Sequence, residues 1–438
     1  MDFKIILEIL VILGALAMGA RTGGVGLGLW GAVGLLVLVV GFGLKPGDIP
    51  GDVLLIVLTV IMAASAMEVA GGIDFLVGVA EKIIRKNPKQ VTIVAPLVTY
   101  GFTFAAGTGH IVYPLLPVIY EVAHENGIRP ERPMAIATIA SQQAITASPV
   151  SAATAAMITM LAHHGYGLVQ ILLICVPSTL LAVLIAAIVQ LRVGKELKDD
   201  PEYQRLLASG ELQPPEKSTG AEPVPVKKGA KASALIFLTG VVLVVLAGIF
   251  PQLRTAGGVV MGMDRAIAIV MLTVAAVIVT VTKIPAAEVP KCKTCQSGVS
   301  AIIGILGLAW LGDTFMDANS EVIIGGLKTM ATAAPWTFAI GLFIASMLLF
   351  SQAATAKTLM PLGLSLGIPA PLLIGMFPAV NGYFFIPNYG TIIAAIQFDR
   401  SGTTRIGKYL LNHSFMLPGM ICTVGAVGFG LLIGKLFF

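Results

Sequence analysis

The sequence predicts an all-α polytopic membrane protein made of two inverted repeats, each with five membrane crossings, one of them broken, plus a re-entrant hairpin. Three observations carry this reading. The 438 residues are 56% hydrophobic and only 12% charged, with a mean hydropathy of +0.92, where a soluble domain carries about twice that charged fraction. Apolar runs at 5–20, 24–43, 53–70, 168–191, 233–250, 266–282, 299–312 and 410–434 approach the ~20 residues that cross a bilayer as helix. The order of runs, tips and breaks then recurs about 240 residues further on. Alternating patterns are absent, so strands are not expected.

The first run ends in Ala17-Met18-Gly19-Ala20, yet Asp2 and Glu8 do not suit a signal peptide and a second span follows at once. It is read as the first crossing. After the third span, 73–89 is amphipathic with Lys82, Arg85, Lys86 and Lys89 on one stripe, as in an interfacial helix. Residues 91–106 and 111–123 are each too short to cross and meet at Gly107-Thr108-Gly109-His110, which predicts a hairpin returning to the face it left. The run 134–161 is long enough to cross but is interrupted by Ser141-Gln142-Gln143 and by Thr146-Ala147-Ser148-Pro149-Val150-Ser151. A proline among hydroxyls breaks a helix and frees backbone groups, which bilayer depth tolerates only against protein or a cavity.

Residues 193–231 mix acids, bases and prolines and are expected to form a solvated linker between two halves. The second half follows the same order: three spans, a short helix near 319–332, a hairpin with its tip at Ser351 to Lys357, a broken span and a final span. Pro117 and Pro361 follow the two tips, Gly127-Ile128 echoes Gly367-Ile368, and the first break echoes Phe385-Ile386-Pro387-Asn388-Tyr389-Gly390-Thr391. Five crossings and one hairpin per half make an odd count, which inverts the second half. Alternate tracing puts Arg21, the Lys82 to Lys89 stripe, Arg129, Arg132, the linker, Lys283, Lys291, Lys293, Arg400, Arg405 and Lys408 on one face. That face is therefore cytoplasmic and both termini are periplasmic. Inverted repeats with discontinuous helices meeting at mid-membrane are the architecture of secondary transporters.

Several weaker signals point elsewhere and are set aside. Cys292-Lys293-Thr294-Cys295 lacks the two further ligands zinc needs, so a reduced loop pair is expected and no metal or other resident cofactor. Gly402 to Tyr409 resembles a phosphate loop but ends in Tyr409 and follows no strand; a basic loop is the better reading, with Asp399 and Arg400 paired across it. Gly24-Val25-Gly26-Leu27-Gly28 reads as close helix packing. The net charge of +5 follows loop bias, and the aromatic-basic interleaving of nucleic-acid binders is missing. A membrane-embedded enzyme, such as an ion-pumping decarboxylase subunit, is the alternative class. It would need converging carboxylates or a nucleophile with its base, and Glu68, Asp74, Asp313 and Asp317 sit at expected span ends.

At Gly107 to His110, Ala147 to Ser151, Trp310 to Phe315, Ser351 to Lys357 and Gln397 to Thr404, the chain resembles the anaerobic C4-dicarboxylate transporter (Dcu) family, most closely its DcuA type. His110 is closer to the B type. The likeness runs almost from end to end. It implies a bacterial inner-membrane antiporter exchanging fumarate, malate or aspartate for succinate, with the elevator fold of the wider ion-transporter superfamily, usually a homodimer. By that analogy the first repeat, 1–192, divides into scaffold helices 1–90 and a transport part with hairpin 91–123 and broken helix 134–161. After the linker 193–232, the second repeat, 233–438, divides into scaffold 233–334, hairpin 335–368 and broken helix 371–398. Sodium and proton coupling both stay open.

A C4-dicarboxylate is a dianion that needs two positive poles a few Å apart. Helix N-termini freed at Pro149 and Pro387 each offer about half a unit charge and unpaired N–H groups. Gly107 and Gly109 let the first tip approach, and Thr108, Thr146, Ser148, Ser151, Ser351, Gln352, Thr355, Asn381, Asn388 and Thr391 supply hydroxyls and amides, with His110 as a proton-sensitive group. Lys357 supplies a full charge, either for a carboxylate or in place of a sodium ion; a lysine at bilayer depth is costly unless it serves a site. Each hydroxyl taken singly suits helix packing as well as ligation, and Lys357 also suits snorkelling to the surface.

Overall fold

The computed structural model describes residues 3–22, 25–49, 51–212, 227–349, 351–387, 389–407 and 411–438. The chain enters the fold through three apolar helices, α1 (Phe3–Thr22), α2 (Gly26–Leu36, continued by a π-helical turn Val37–Gly41) and α3 (Gly51–Val69). At Gly71 the backbone turns left-handed, and amphipathic α4 (Gly72–Lys86) leaves α3 at 75°. The hairpin arms follow as α5 (Val91–Ala106) and α6 (Leu116–Glu125), joined through Gly107 and a 3-10 stretch Gly109–Leu115. Next come α7 (Glu131–Gln143), a break, α8 (Ala152–Leu161) and α9 (Leu168–Gln190).

Residues 193–212 do not behave as the solvated linker expected. They fold into a strap that carries helix α10 (Pro201–Ala208) and buries Leu197, Asp200, Tyr203 and Leu212. Asp200 caps α10, accepting from the N–H groups of Glu202 (3.0 Å) and Tyr203 (3.2 Å), and its other oxygen meets Arg129 at 2.5 Å. Arg129 also holds Glu131 at 2.5 Å, and Arg132 reaches the Val193 carbonyl at 2.8 Å and Glu196 at 3.0 Å. Two of the acids that made the segment look solvated, Asp200 and Glu196, are thus bound by arginines at the foot of α7. Its residues 213–226 lie outside the described ones.

The second half has α11 (Ala230–Ile249), a two-residue β-ribbon (β1, Thr255–Ala256, with β2, Val259–Val260) where no strand was expected, and α12 (Met263–Thr282). Helix α13 (Lys293–Ala333) runs unbroken for 41 residues, so the span at 299–312 and the short helix near 319–332 are one element. No proline or helix-stopping glycine turn interrupts it. The second hairpin is α14 (Thr337–Leu349) and α15 (Gln352–Ser365). The interrupted span that follows is α16 (Ala370–Met376), a 3-10 stretch Phe377–Phe384 kinked at Asn381, and α17 (Gly390–Phe398), before the closing helix α18 (Met416–Phe437).

Five helical runs among the described residues are long and apolar enough to cross a membrane: Glu131–His164, Leu168–Gln190, Ala230–Ile249, Met263–Thr282 and Met416–Phe437. Helix α3 joined with α4 adds a bent sixth. Helices α9 and α18, the last of each half, pack along one another. Around them sit α5, α7, α16 and the Phe377–Phe384 stretch, while α2, α3, α12 and α13 pack mainly among themselves. Small residues set the closest approaches: a Cβ on Gly28 would lie 2.1 Å from the Ile303 carbonyl oxygen, which joins α2 to α13 backbone to backbone.

Candidate functional site

The first hairpin tip is sealed against α7 and its break. Gly107 ends α5 with φ 72° and a Cβ there would meet the Val150 carbonyl oxygen at 2.7 Å, so both conformation and space select glycine. Ser141 on α7 donates to the Gly109 carbonyl at 2.9 Å, and Ser148 in the break donates to the Phe104 carbonyl at 2.7 Å. The second tip starts α15 with Ser351 as N-cap, whose hydroxyl oxygen accepts from Ala354 N–H at 3.2 Å.

Between the tips lies a buried chain of amides. Gln352 Nε2 donates to Gln142 Oε1 (3.1 Å) and to Asn381 Oδ1 (3.3 Å). Asn381 Nδ2 donates to Gln143 Oε1 (3.2 Å) and to the Pro378 carbonyl (3.1 Å), and Gln143 Nε2 donates to the Thr423 hydroxyl oxygen (3.0 Å). The chain links α7, α15, the Asn381 kink and α18, bringing residues from both halves onto one spot. Neither Gln142 nor Gln143 is among the binding groups expected from the sequence. Both join the amide chain because α7 is enclosed on every side, Gln142 reaching α15 and Gln143 reaching α18. The signal was the polar triplet Ser141-Gln142-Gln143 in an apolar run. For Thr423 there was none.

The hydroxyls expected to grip a carboxylate are mostly engaged in holding the breaks. Thr146 donates to the Gln143 carbonyl (2.9 Å), Ser151 to the Ile145 carbonyl (2.6 Å) while capping α8 at Thr154 N–H (3.1 Å), and Thr355 to the Ser351 carbonyl (2.8 Å). A hydroxyl has one proton to give, so Thr146, Ser148, Ser151 and Thr355 keep only acceptor capacity in this arrangement. Thr391, in the first turn of α17, is buried with its hydroxyl unpartnered, and Pro149 and Pro387 lie buried in their breaks. Thr108 is engaged in an interaction of its own. His110 falls in the 3-10 stretch, but its side chain, like Asn388, lies outside the described residues.

Lys357 stands six residues past Ser351 on the half-buried flank of α15. Its neighbour Thr358 packs on Gly312 of α13, where a Cβ would come within 2.6 Å of the threonine methyl, and Asp313 is within electrostatic reach of the ammonium. Asp313 accepts from the Asp48 N–H at 2.8 Å, and Gly47 is held by Thr314 (3.0 Å) and Trp310 (2.8 Å). The lysine therefore sits beside α13 rather than inside the amide chain. The pairing of Asp399 with Arg400 is not what the loop does. Asp399 accepts from Ser401 N–H (2.8 Å), Thr403 hydroxyl (2.8 Å) and Thr404 N–H (2.6 Å), while Arg400 lies over the Tyr120 ring, 5.7 Å from its centroid.

Residues 4–438 match the family model for the anaerobic C4-dicarboxylate membrane transporter. The chain belongs to that family. It is 44% identical to the C4-dicarboxylate transporter DcuA of Wolinella succinogenes over 434 residues, covering 99% of both chains. The DcuA of Escherichia coli K12 is also 44% identical, over 98% of this chain and 99% of that one. An Escherichia coli anaerobic C4-dicarboxylate transporter DcuB is 39% identical over 98% of each. Among solved structures the fold is similar to the Alcanivorax borkumensis YdaH transporter, with a TM-score of 0.57, 15% identity and coverage of 99% and 98%. Family membership makes this a membrane transporter and not an enzyme.

Proposed function

We propose that the protein is a secondary active antiporter of C4-dicarboxylates, exchanging fumarate, malate or aspartate for succinate across the bacterial inner membrane by alternating access. The observation that carries this reading is the convergence of two hairpin tips and two helix breaks on one buried amide chain, in a family named for C4-dicarboxylate transport. The α15 and α17 N-termini and Lys357 supply positive potential for a dianion. The two halves are read as inverted repeats, with 1–90 and 233–334 as scaffold and the hairpins and broken helices as the moving part of a homodimeric elevator. The basic face carrying Arg129, Arg132 and the strap is read as cytoplasmic, which leaves both termini periplasmic. The test is counterflow in succinate-loaded proteoliposomes against external fumarate, malate and aspartate, with and without sodium and a pH gradient. Uptake of labelled fumarate that depends on internal succinate is expected; uptake indifferent to it would overturn antiport.

A further inference from the structure

Amide oxygens and nitrogens look alike in shape, so the direction of an amide chain must come from a partner whose role is fixed. Here the anchor is the Pro378 carbonyl, which can only accept. It makes the near atom of Asn381 the Nδ2 donor (3.1 Å), so Asn381 presents Oδ1 to Gln352. Gln352 must then present Nε2, which is also the atom facing Gln142, and Gln142 must answer with Oε1 (3.1 Å). The polarity of the whole chain follows from one backbone oxygen. Its loose end is Gln142 Nε2, a group with two N–H donors, in a side chain 1% exposed, with no hydrogen-bond partner. The nitrogen lies against Gly109, where even a Cβ would approach it to 2.2 Å.

A buried unpartnered donor costs about 1–3 kcal/mol, so its retention calls for an acceptor supplied from outside the chain. The geometry points to Gln142 as a direct ligand of one substrate carboxylate, oriented for that task by Gln352, Asn381 and Pro378. The assignment rests on the dicarboxylate reading above and adds the donor which the hydroxyls at the breaks, occupied by backbone carbonyls, do not provide. The first turn of α15, which Gln352 itself opens, offers peptide N–H groups to the same anion. Entry of the carboxylate requires the second tip to draw back from α7. That movement opens the Gln352–Gln142 bond and frees Gln352 Nε2 as a further donor. Gln352 and Asn381 orient Gln142 before that movement, and the Gln142 donor needs no hydrogen bond broken to become available.

Purified full-length protein in proteoliposomes tests this with Gln142→Met, which keeps length but has no donor, and Gln142→Glu, which replaces the donor by an acceptor. Succinate and its mono-amide succinamate are the probes. Gln142→Met is expected to raise the succinate KM roughly 10- to 100-fold, the worth of a charge-assisted hydrogen bond. Gln142→Glu is expected to lose succinate at least as strongly while shifting the KM ratio toward succinamate, whose amide can donate to the new carboxylate. An unchanged succinate KM in Gln142→Met overturns the assignment. A raised KM in both variants with no change in the succinate-to-succinamate ratio also overturns it, since damage to packing would weaken both probes alike. If the wild type binds succinate but does not exchange it, antiport fails and the assignment is judged by the same ratio in equilibrium binding.

Discussion

Replacing Asp200 by Asn should release the strap formed by residues 193–212. In the folded chain Asp200 is 5% exposed and meets Arg129, itself 4% exposed, at 2.5 Å. Burial by itself would raise the Asp200 carboxyl, but the Arg129 hydrogen bond and the Tyr203 and Glu202 N–H groups outweigh it and hold the carboxyl below its ordinary range. Removing one partner of a buried pair costs about 3–5 kcal/mol. Glu131 stays at 2.5 Å and keeps Arg129 partly compensated, so about 2–3 kcal/mol is the fitting share. Asparagine still caps α10, which confines the change to the ion pair; Asp200→Ala should cost about 1 kcal/mol more through the lost cap. The strap docks by local contacts, so the loss should appear as local opening. Hydrogen exchange of peptides across 197–212 should speed up roughly 30- to 150-fold in Asp200→Asn, at about 1.4 kcal/mol per tenfold. Exchange within threefold of wild type would refute the argument that this pair holds the strap.

Acid should loosen the same strap through a second group. His124, at the end of α6, meets the Tyr203 hydroxyl at 3.1 Å and stacks on Tyr120, and burial keeps its pKa below the ordinary value, against the pull of Asp399 and Glu125. A lowered folded pKa gives stability that is complete above about pH 6.5 and is lost as pH falls through the folded value; proteolysis of the strap at pH 7.5 and 5.5 should show it, and His124→Gln should remove the difference. Gly28→Leu should prevent α2 from seating on α13, because the Ile303 backbone 2.1 Å from the new Cβ cannot move aside; loss of the monodisperse folded peak is expected, whereas Gly14→Ala, with nothing within 4 Å of its Cβ, should keep it. Lys357→Gln should cut succinate counterflow at least tenfold, through lost charge at α15 and beside Asp313; near-normal exchange would remove the lysine from the transport cycle.

Much of the fold was legible because hydrophobicity over a span and the conformational demands of Gly and Pro act locally. The tip at Gly107, the break at Ser148 to Ser151 and the amphipathic turn of α4 all lie where the sequence put them. The strap misled because its acids and bases resemble those of a disordered linker. Composition does not say that Arg129 and Arg132 wait at the foot of α7 to receive Asp200 and Glu196. The unbroken α13 misled for a related reason: Asp313 and Asn319 look like the end of a span, yet a helix accepts them when Asp48 and Glu8 come to meet them.

The site divides along the same line. Sequence by itself determined that two hairpin tips and two breaks exist and which polar residues they carry, since each is written within a few neighbouring positions. Only the tertiary structure decided which of those groups retain a hydrogen to donate. A serine or threonine in or beside a break is readily satisfied by a carbonyl a few residues away, as Thr146, Ser151 and Thr355 are. Gln142, Gln143, Gln352, Asn381 and Thr423 reach one another across up to 280 residues of chain. Their order of donors and acceptors depends on a single carbonyl at Pro378, and no local pattern records a direction that is fixed by distant partners.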